Sequence, residues 1–127
     1  MSNSKQKARL VIALEYYKKI AMFEDYEITS PISQGMDGDT PFHMAAYDGN
    51  LSFIKDMLPF VPDINIEGDI GNTPLHYAVM KAHLEAVQFL LNNGADIFKE
   101  NDYGYTPLDY MESEAIFEQM VAQYLKK

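Results

Sequence analysis

Thr40-Pro41-Phe42-His43 returns as Thr73-Pro74-Leu75-His76 and again, degraded, as Thr106-Pro107-Leu108-Asp109, each time after 33 residues. A fixed step of that length describes an array of short units, each too small to bury its own apolar face and each stacked on the next. A chain built this way presents an extended surface and not a deep enclosed pocket, so binding is the first function to expect of it.

The periodicity reaches beyond the tetrapeptide. Gly38, Gly71 and Gly104 each stand two positions before the threonine, where a tight turn calls for a positive φ that other residues resist. Small residues follow at Ala45-Ala46 and Ala78-Val79, and the second copy continues through Leu84, Val87 and Leu90-Leu91 into Asn93-Gly94-Ala95-Asp96. In these motifs the sequence resembles the ankyrin-repeat family over about residues 36 to 127. The resemblance implies an all-α solenoid with two full helix-turn-helix repeats, an N-terminal helical cap and a degenerate C-terminal capping repeat. The boundaries it implies are a cap at 1–35, repeats at 36–68 and 69–101, and the closing unit at 102–127, all within one domain.

Both outer units depart from the pattern. In the first copy Pro59 and Pro62 stand where the second helix should finish, with Val61 in place of the usual glycine. Proline lacks an amide hydrogen and clashes with the preceding turn, so that helix is expected to stop by Leu58. The third copy replaces the histidine with Asp109 and the small pair with Met111-Glu112. Atypical end units are expected, because a terminal repeat has a neighbour on one side only.

A stack this thin needs help from the residues before it. From Lys7 to Phe23 there is no Gly or Pro, and Leu10, Leu14, Tyr17 and Ala21 share one helical face, which predicts a capping helix with Ser4 as its N-cap. A connection rich in Ser, Thr and Pro follows at Thr29, Ser30, Pro31 and Ser33.

Composition narrows the classes. No apolar stretch has the length needed to cross a bilayer, and Met1-Ser2-Asn3-Ser4 lacks the apolar core of a secretion signal, so no membrane partner is expected. With no cysteines there is no disulfide, thiolate zinc site or cysteine nucleophile, and the expected compartment is the cytoplasm. The net charge of −9 is unevenly spread: residues 1–36 carry +1 and residues 37–127 carry −10. Glu67 and Asp69 recur one period later as Glu100 and Asp102, and Asp37 and Asp39 precede the first Thr-Pro. The family resemblance puts these six at the inter-repeat turns, or fingers, which project along one edge. Two readings fit them: turns that carry Asp and Asn for their geometry and solubility, or a negative stripe that steers a basic partner. Nucleic acid is disfavoured, since phosphates call for Lys and Arg and only Lys99 is near.

The resemblance also implies which residues face a partner, namely finger tips and the exposed side of each first helix. They are Asp37, Asp39, Tyr47, Asp48, Asp69, Ile70, Asn72, Met80, Lys81, Asp102, Tyr103 and Tyr105, with Ser113 and Glu114 in the closing unit. Tyrosine is enriched at binding hot spots, which favours Tyr47, Tyr103 and Tyr105 as contacts; in a chain with nine tyrosines some would also reach the surface by chance.

The histidines read as structural. His43 and His76 occupy the family position whose ring bonds backbone across a finger, His83 opens a second helix, and no third ligand recurs with them for a metal. The sequence contains no glycine-rich phosphate loop, His-Glu-x-x-His or Gly-x-Ser-x-Gly, so neither enzyme activity nor a cofactor is expected. Three functions remain open. The first is a small, acidic, monomeric inhibitor of a basic protein, resembling bacterial immunity proteins that neutralise a nuclease toxin. The second is an adaptor or regulatory subunit docking on another protein. The third is a fragment of a longer array, against which the increasingly polar run from Gln119 to Lys127 speaks.

Overall fold

Each unit opens with the same local chemistry. Thr40 and Thr73 are N-caps with extended backbone, and their hydroxyls accept the amides of His43 and His76. Proline follows at the first helical position, where no amide partner is needed. Each ring then reaches back, its Nδ1 accepting the threonine amide at 3.2 Å for His43 and 3.0 Å for His76. The result is a capping box with histidine in the place usually held by Glu or Gln.

The computed structural model describes residues 2–111, 118–120 and 122–123. Its helices are α1 (Ser2–Lys18), α2 (Pro41–Asp48), α3 (Leu51–Met57), α4 (Pro74–Met80) and α5 (Leu84–Asn92), and residues 118–120 and 122–123 are also helical. Short 3-10 turns lie at Ala21–Phe23, Leu58–Phe60, Asp69–Gly71 and Pro107–Tyr110. The described residues contain no strand, as expected of an all-α solenoid. One layer holds α2, α4 and the Pro107–Tyr110 turn, and the other holds α1, α3 and α5. The two are joined where α2 meets α3 and α4 meets α5.

Between the layers lies one continuous core. Phe42, Ala45, Ile54, Met57, Leu75, Ala78, Val87 and Leu90 are fully buried, and α1 adds Ala13, Leu14 and Tyr17. The alanines on α2 and α4 let the helices of adjacent units approach closely. As the prolines required, α3 ends at Met57 and the chain tightens into a 3-10 turn through Pro59. Gly49 closes α2 in the left-handed region at φ 67, and one unit later Ala82 takes the same conformation at φ 56, which costs an L-residue roughly 1–2 kcal/mol.

The N-terminal helix differs from the expectation at both ends. It runs from Ser2, so Ser4 lies within its first turn and is not the N-cap, and it stops at Lys18. Ala21 belongs to a separate 3-10 turn and is exposed. A straight helix would carry Phe23 away from the buried side. The break at Ile20 instead brings Phe23 into the core, edge-on to Tyr17 at 6.5 Å. Val11, Ile12 and Tyr16 remain exposed on α1, among Lys5, Arg9 and Glu15.

The third unit keeps the capping box while losing the helix. Asp109 replaces the histidine and its carboxylate accepts the Thr106 amide at 2.8 Å, but the chain leaves the turn at Met111. His43 and His76 each bond a following finger, through Nε2 to the carbonyls of Ile66 and Asn72 in one case and of Tyr105 in the other. Asp109 makes no such bond among the described residues.

Burial lowers the pKa of both imidazoles, more than the carbonyl bonds and, for His43, the Asp39 carboxylate raise it. A ring that binds its proton more weakly folded than unfolded contributes stability that is complete above the ordinary histidine pKa and lost progressively as pH falls from there through the lower folded value. The urea midpoint is therefore expected to decline once pH drops below about 6.5; a flat midpoint across that range would contradict the neutral, capped histidines. Truncating Leu90, fully buried on α5, to alanine is expected to cost about 2–5 kcal/mol. Asp102→Asn at an exposed finger should leave the unfolding midpoint nearly unchanged, and equal losses for the two would invert this assignment of core and surface.

Candidate protein-binding surface

Three fingers are closed by one recurring bond. Gly35 donates its amide to the carbonyl of Asp39, Gly68 to that of Asn72 and Asn101 to that of Tyr105, each at 2.8 Å and 33 residues apart. Within each finger the expected glycine has positive φ: 88 at Gly38, 71 at Gly71 and 80 at Gly104. Ile70 shares this conformation at φ 58, which turns the tip of the second finger.

Neighbouring fingers are stitched together by side chains expected on the partner face. Asp39 is 5% exposed; it accepts the Asp69 amide at 2.9 Å, and the Tyr77 hydroxyl approaches both its oxygens at 2.9 Å. Asn72, at the same place one unit on, is 6% exposed and accepts from the Asn101 side chain at 2.8 Å. Both are corrections to the sequence expectation. Turn-forming polar residues read alike in sequence whether they face water or bridge two turns, and here the next finger lies directly against them. No side chain fits at Gly68, whose Cβ would strike the Asp39 carboxylate and the His43 ring.

The remaining site residues divide in the same way. Asp37 and Asp102 are exposed and Asp69 is half-buried. Glu67 and Glu100 are both exposed, and Lys99 pairs with Glu67 at 3.2 Å, which offsets its charge in the expected stripe. Asp48 is exposed but accepts the hydroxyl of Tyr17 at 3.1 Å, so it ties α2 to α1. Ile70 and Met80 are half-buried and Lys81 is exposed. Tyr47, Tyr103 and Tyr105 are 37%, 67% and 51% exposed. Ser113 and Glu114 lie outside the described residues.

Partial burial, and then the carboxylates of Asp39, Asp37 and Asp102, raise the pKa of Asp69. Acids of the first and third fingers therefore stand near enough to bear on Asp69 of the second, which gathers negative charge along one edge.

Beside that edge stands an aromatic row only partly visible in the sequence. Tyr47 on α2 meets Tyr77 on α4 edge-on at 5.8 Å, and Tyr105 meets Tyr110 likewise at 5.7 Å. Tyr77 and Tyr110 were not among the predicted contacts. Their signal was available, since they are 33 residues apart directly after His76 and Asp109. Burial, followed by the Asp39 carboxylate, pushes the Tyr77 hydroxyl well above the ordinary phenol range, so it acts as a donor at neutral pH.

Carboxylates on open turns beside exposed phenol rings can attract and hold a partner's surface. The described residues contain no cluster of three His, Asp or Glu fit to hold a metal ion. No helix among them is long and apolar enough to cross a membrane.

Replacing Asp39 by alanine would leave the Tyr77 hydroxyl and the Asp69 amide without their acceptor. The expected loss in denaturant unfolding is about 1–3 kcal/mol. Asp37→Ala, at an exposed tip, should stay within about 0.5 kcal/mol of the parent, and comparable losses for the two would refute the inward role of Asp39.

Comparison with known families agrees with this geometry. A family model described as ankyrin repeats (3 copies) matches residues 10–101 and, in an overlapping alignment, residues 42–125. No curated protein matches the sequence. Arrays of this kind are generally non-catalytic and bind other proteins across the face that their repeats build together. With its repeated capped helices, its interlocked fingers and a match that spans most of its length, the chain belongs to the ankyrin-repeat family and is a protein–protein interaction module.

Proposed function

We propose that this protein is an acidic, stoichiometric inhibitor that covers the active surface of a basic protein, in the manner of an immunity protein against a nuclease toxin. The observation that carries the reading is the placement of Asp37, Asp69 and Asp102, three carboxylates on consecutive fingers with the outer two near enough to bear on the middle one, in a segment of net charge −10. A concentrated negative edge speeds encounter with a cationic surface and disfavours other partners. A nuclease cleft, shaped to hold phosphates, is such a surface. The exposed rings of Tyr47, Tyr103 and Tyr105 add contact area at small entropic cost.

In this reading the protein acts as a monomeric single domain in the cytoplasm, with no catalytic step and no cofactor. A second reading, as an adaptor on another subunit, draws on the same tyrosines together with Ile70 and Met80. The two differ in their response to salt, because an interface dominated by carboxylates is screened and an aromatic one much less so.

The test is retention of partners from the source organism's lysate at low and high salt. A single basic protein held at low salt and released at high salt is expected. Asp69→Lys combined with Asp102→Lys should abolish that retention with an unchanged far-UV circular dichroism spectrum. Normal retention by the double variant would remove the finger edge as the site, and a salt-insensitive neutral or acidic partner would favour the adaptor.

A further inference from the structure

We infer that the face of the Tyr47 ring is a receptor for an arginine side chain of the partner, and that Lys81 occupies this place in the free protein. The inference rests on the reading of a basic partner and names the contact that would give it chemical specificity.

The Lys81 ammonium lies 5.1 Å from the centre of the Tyr47 ring, within range of a cation–π contact. Lys81 is exposed, and it sits in a segment with 15 acids against five lysines. Among the described residues it nevertheless forms no ion pair, although Arg9, Lys18 and Lys99 each do. In an acid-rich surrounding, a lysine settled on an aromatic face marks that face as attractive to cations.

The ring is also held ready for a ligand. Tyr77 supports it edge-on, and Tyr77 is itself fixed by its hydroxyl on Asp39. The Tyr47 carbonyl accepts a bond from Nε2 of His83 at 3.0 Å, which steadies the end of α2. Through Tyr77 and Asp39 the receptor is joined to the base of the acidic fingers, since Asp39 also holds the Asp69 amide. A cation drawn in by the fingers would thus meet a preorganised π face.

Arginine fits this place better than lysine does. Its guanidinium is planar, stacks on a ring face, is less strongly hydrated than an ammonium and keeps donors free for carboxylates beside the ring. Exchange of Lys81 for a partner's arginine therefore exchanges a weakly held point charge for a stacked one. The side chain of Lys81 acts as a placeholder that any ligand must displace.

Calorimetric titration of the full chain with a hexa-arginine peptide tests this, with hexa-lysine and a neutral Gly-Ser peptide as comparators. Lys81→Met is expected to bind hexa-arginine about two- to fivefold more tightly than the parent, the range a surface cation–π contact supplies, with the gain kept at high salt. Lys19→Met removes the same charge at an exposed position with no aromatic ring beneath it among the described residues, and should gain less and lose that gain at high salt. Adding Tyr47→Phe to Lys81→Met should preserve the gain, and adding Tyr47→Ala should erase it while melting temperature confirms the fold. Equal gains for Lys81→Met and Lys19→Met, a gain that survives Tyr47→Ala, or equal affinity for hexa-lysine and hexa-arginine would each overturn the assignment while leaving a basic partner in place. A parent protein that binds hexa-arginine no better than the neutral peptide would overturn the basic-partner reading and this inference with it.

Discussion

The structure depends on an imidazole ring that bonds in two directions. One nitrogen of His43 or His76 accepts the amide of its own capping threonine, and the other donates to carbonyls of the next finger. A single buried side chain thereby starts a helix and fixes the spacing of its unit from the following one. The roles need the neutral ring, which burial favours, with its proton on Nε2, where carbonyls accept it while Nδ1 faces an amide donor. In the third unit Asp109 takes over the first task, and among the described residues it makes no bond of the second kind.

The same logic governs the edge of the molecule. The first two fingers each have an inner position that bonds the next finger, and all three have an outer position open to solvent to a greater or lesser degree. Asp39 and Asn72 take the inner place and bind Tyr77, the Asp69 amide and Asn101. Asp37 and Asp102 take the outer one, with Asp69 between them in exposure. Because the inner residues hold the fingers in register, the carboxylates of Asp37 and Asp102 are kept near enough to bear on Asp69. The charge of the edge is thus a consequence of the same bonds that stiffen it.

Much of this was legible in the chain. The Thr-Pro caps, the glycines at positive φ, the end of α3 ahead of Pro59 and the burial of Leu90 all follow from local chemistry repeated at a fixed interval. The finger residues were legible as turns but not as inward or outward turns, and Asp39 and Asn72 were misplaced for that reason. α1 was misjudged at both ends, because the pull that breaks it after Lys18 comes from the site Phe23 fills beside Tyr17. Tyr77 and Tyr110 carried the period plainly, yet their pairing with Tyr47 and Tyr105 depends on helices from different units lying side by side.

By itself the sequence determined the repeat, the helix starts, the turn geometry and an acid-rich surface, since each of these is set within a few residues or by composition. Only the tertiary structure decided which polar residues are consumed in holding the fingers, which carboxylates remain outside, and that Lys81 rests on Tyr47. Those outcomes depend on distances between units 30 or more residues apart, and such distances are fixed by stacking, which no single stretch of the chain encodes.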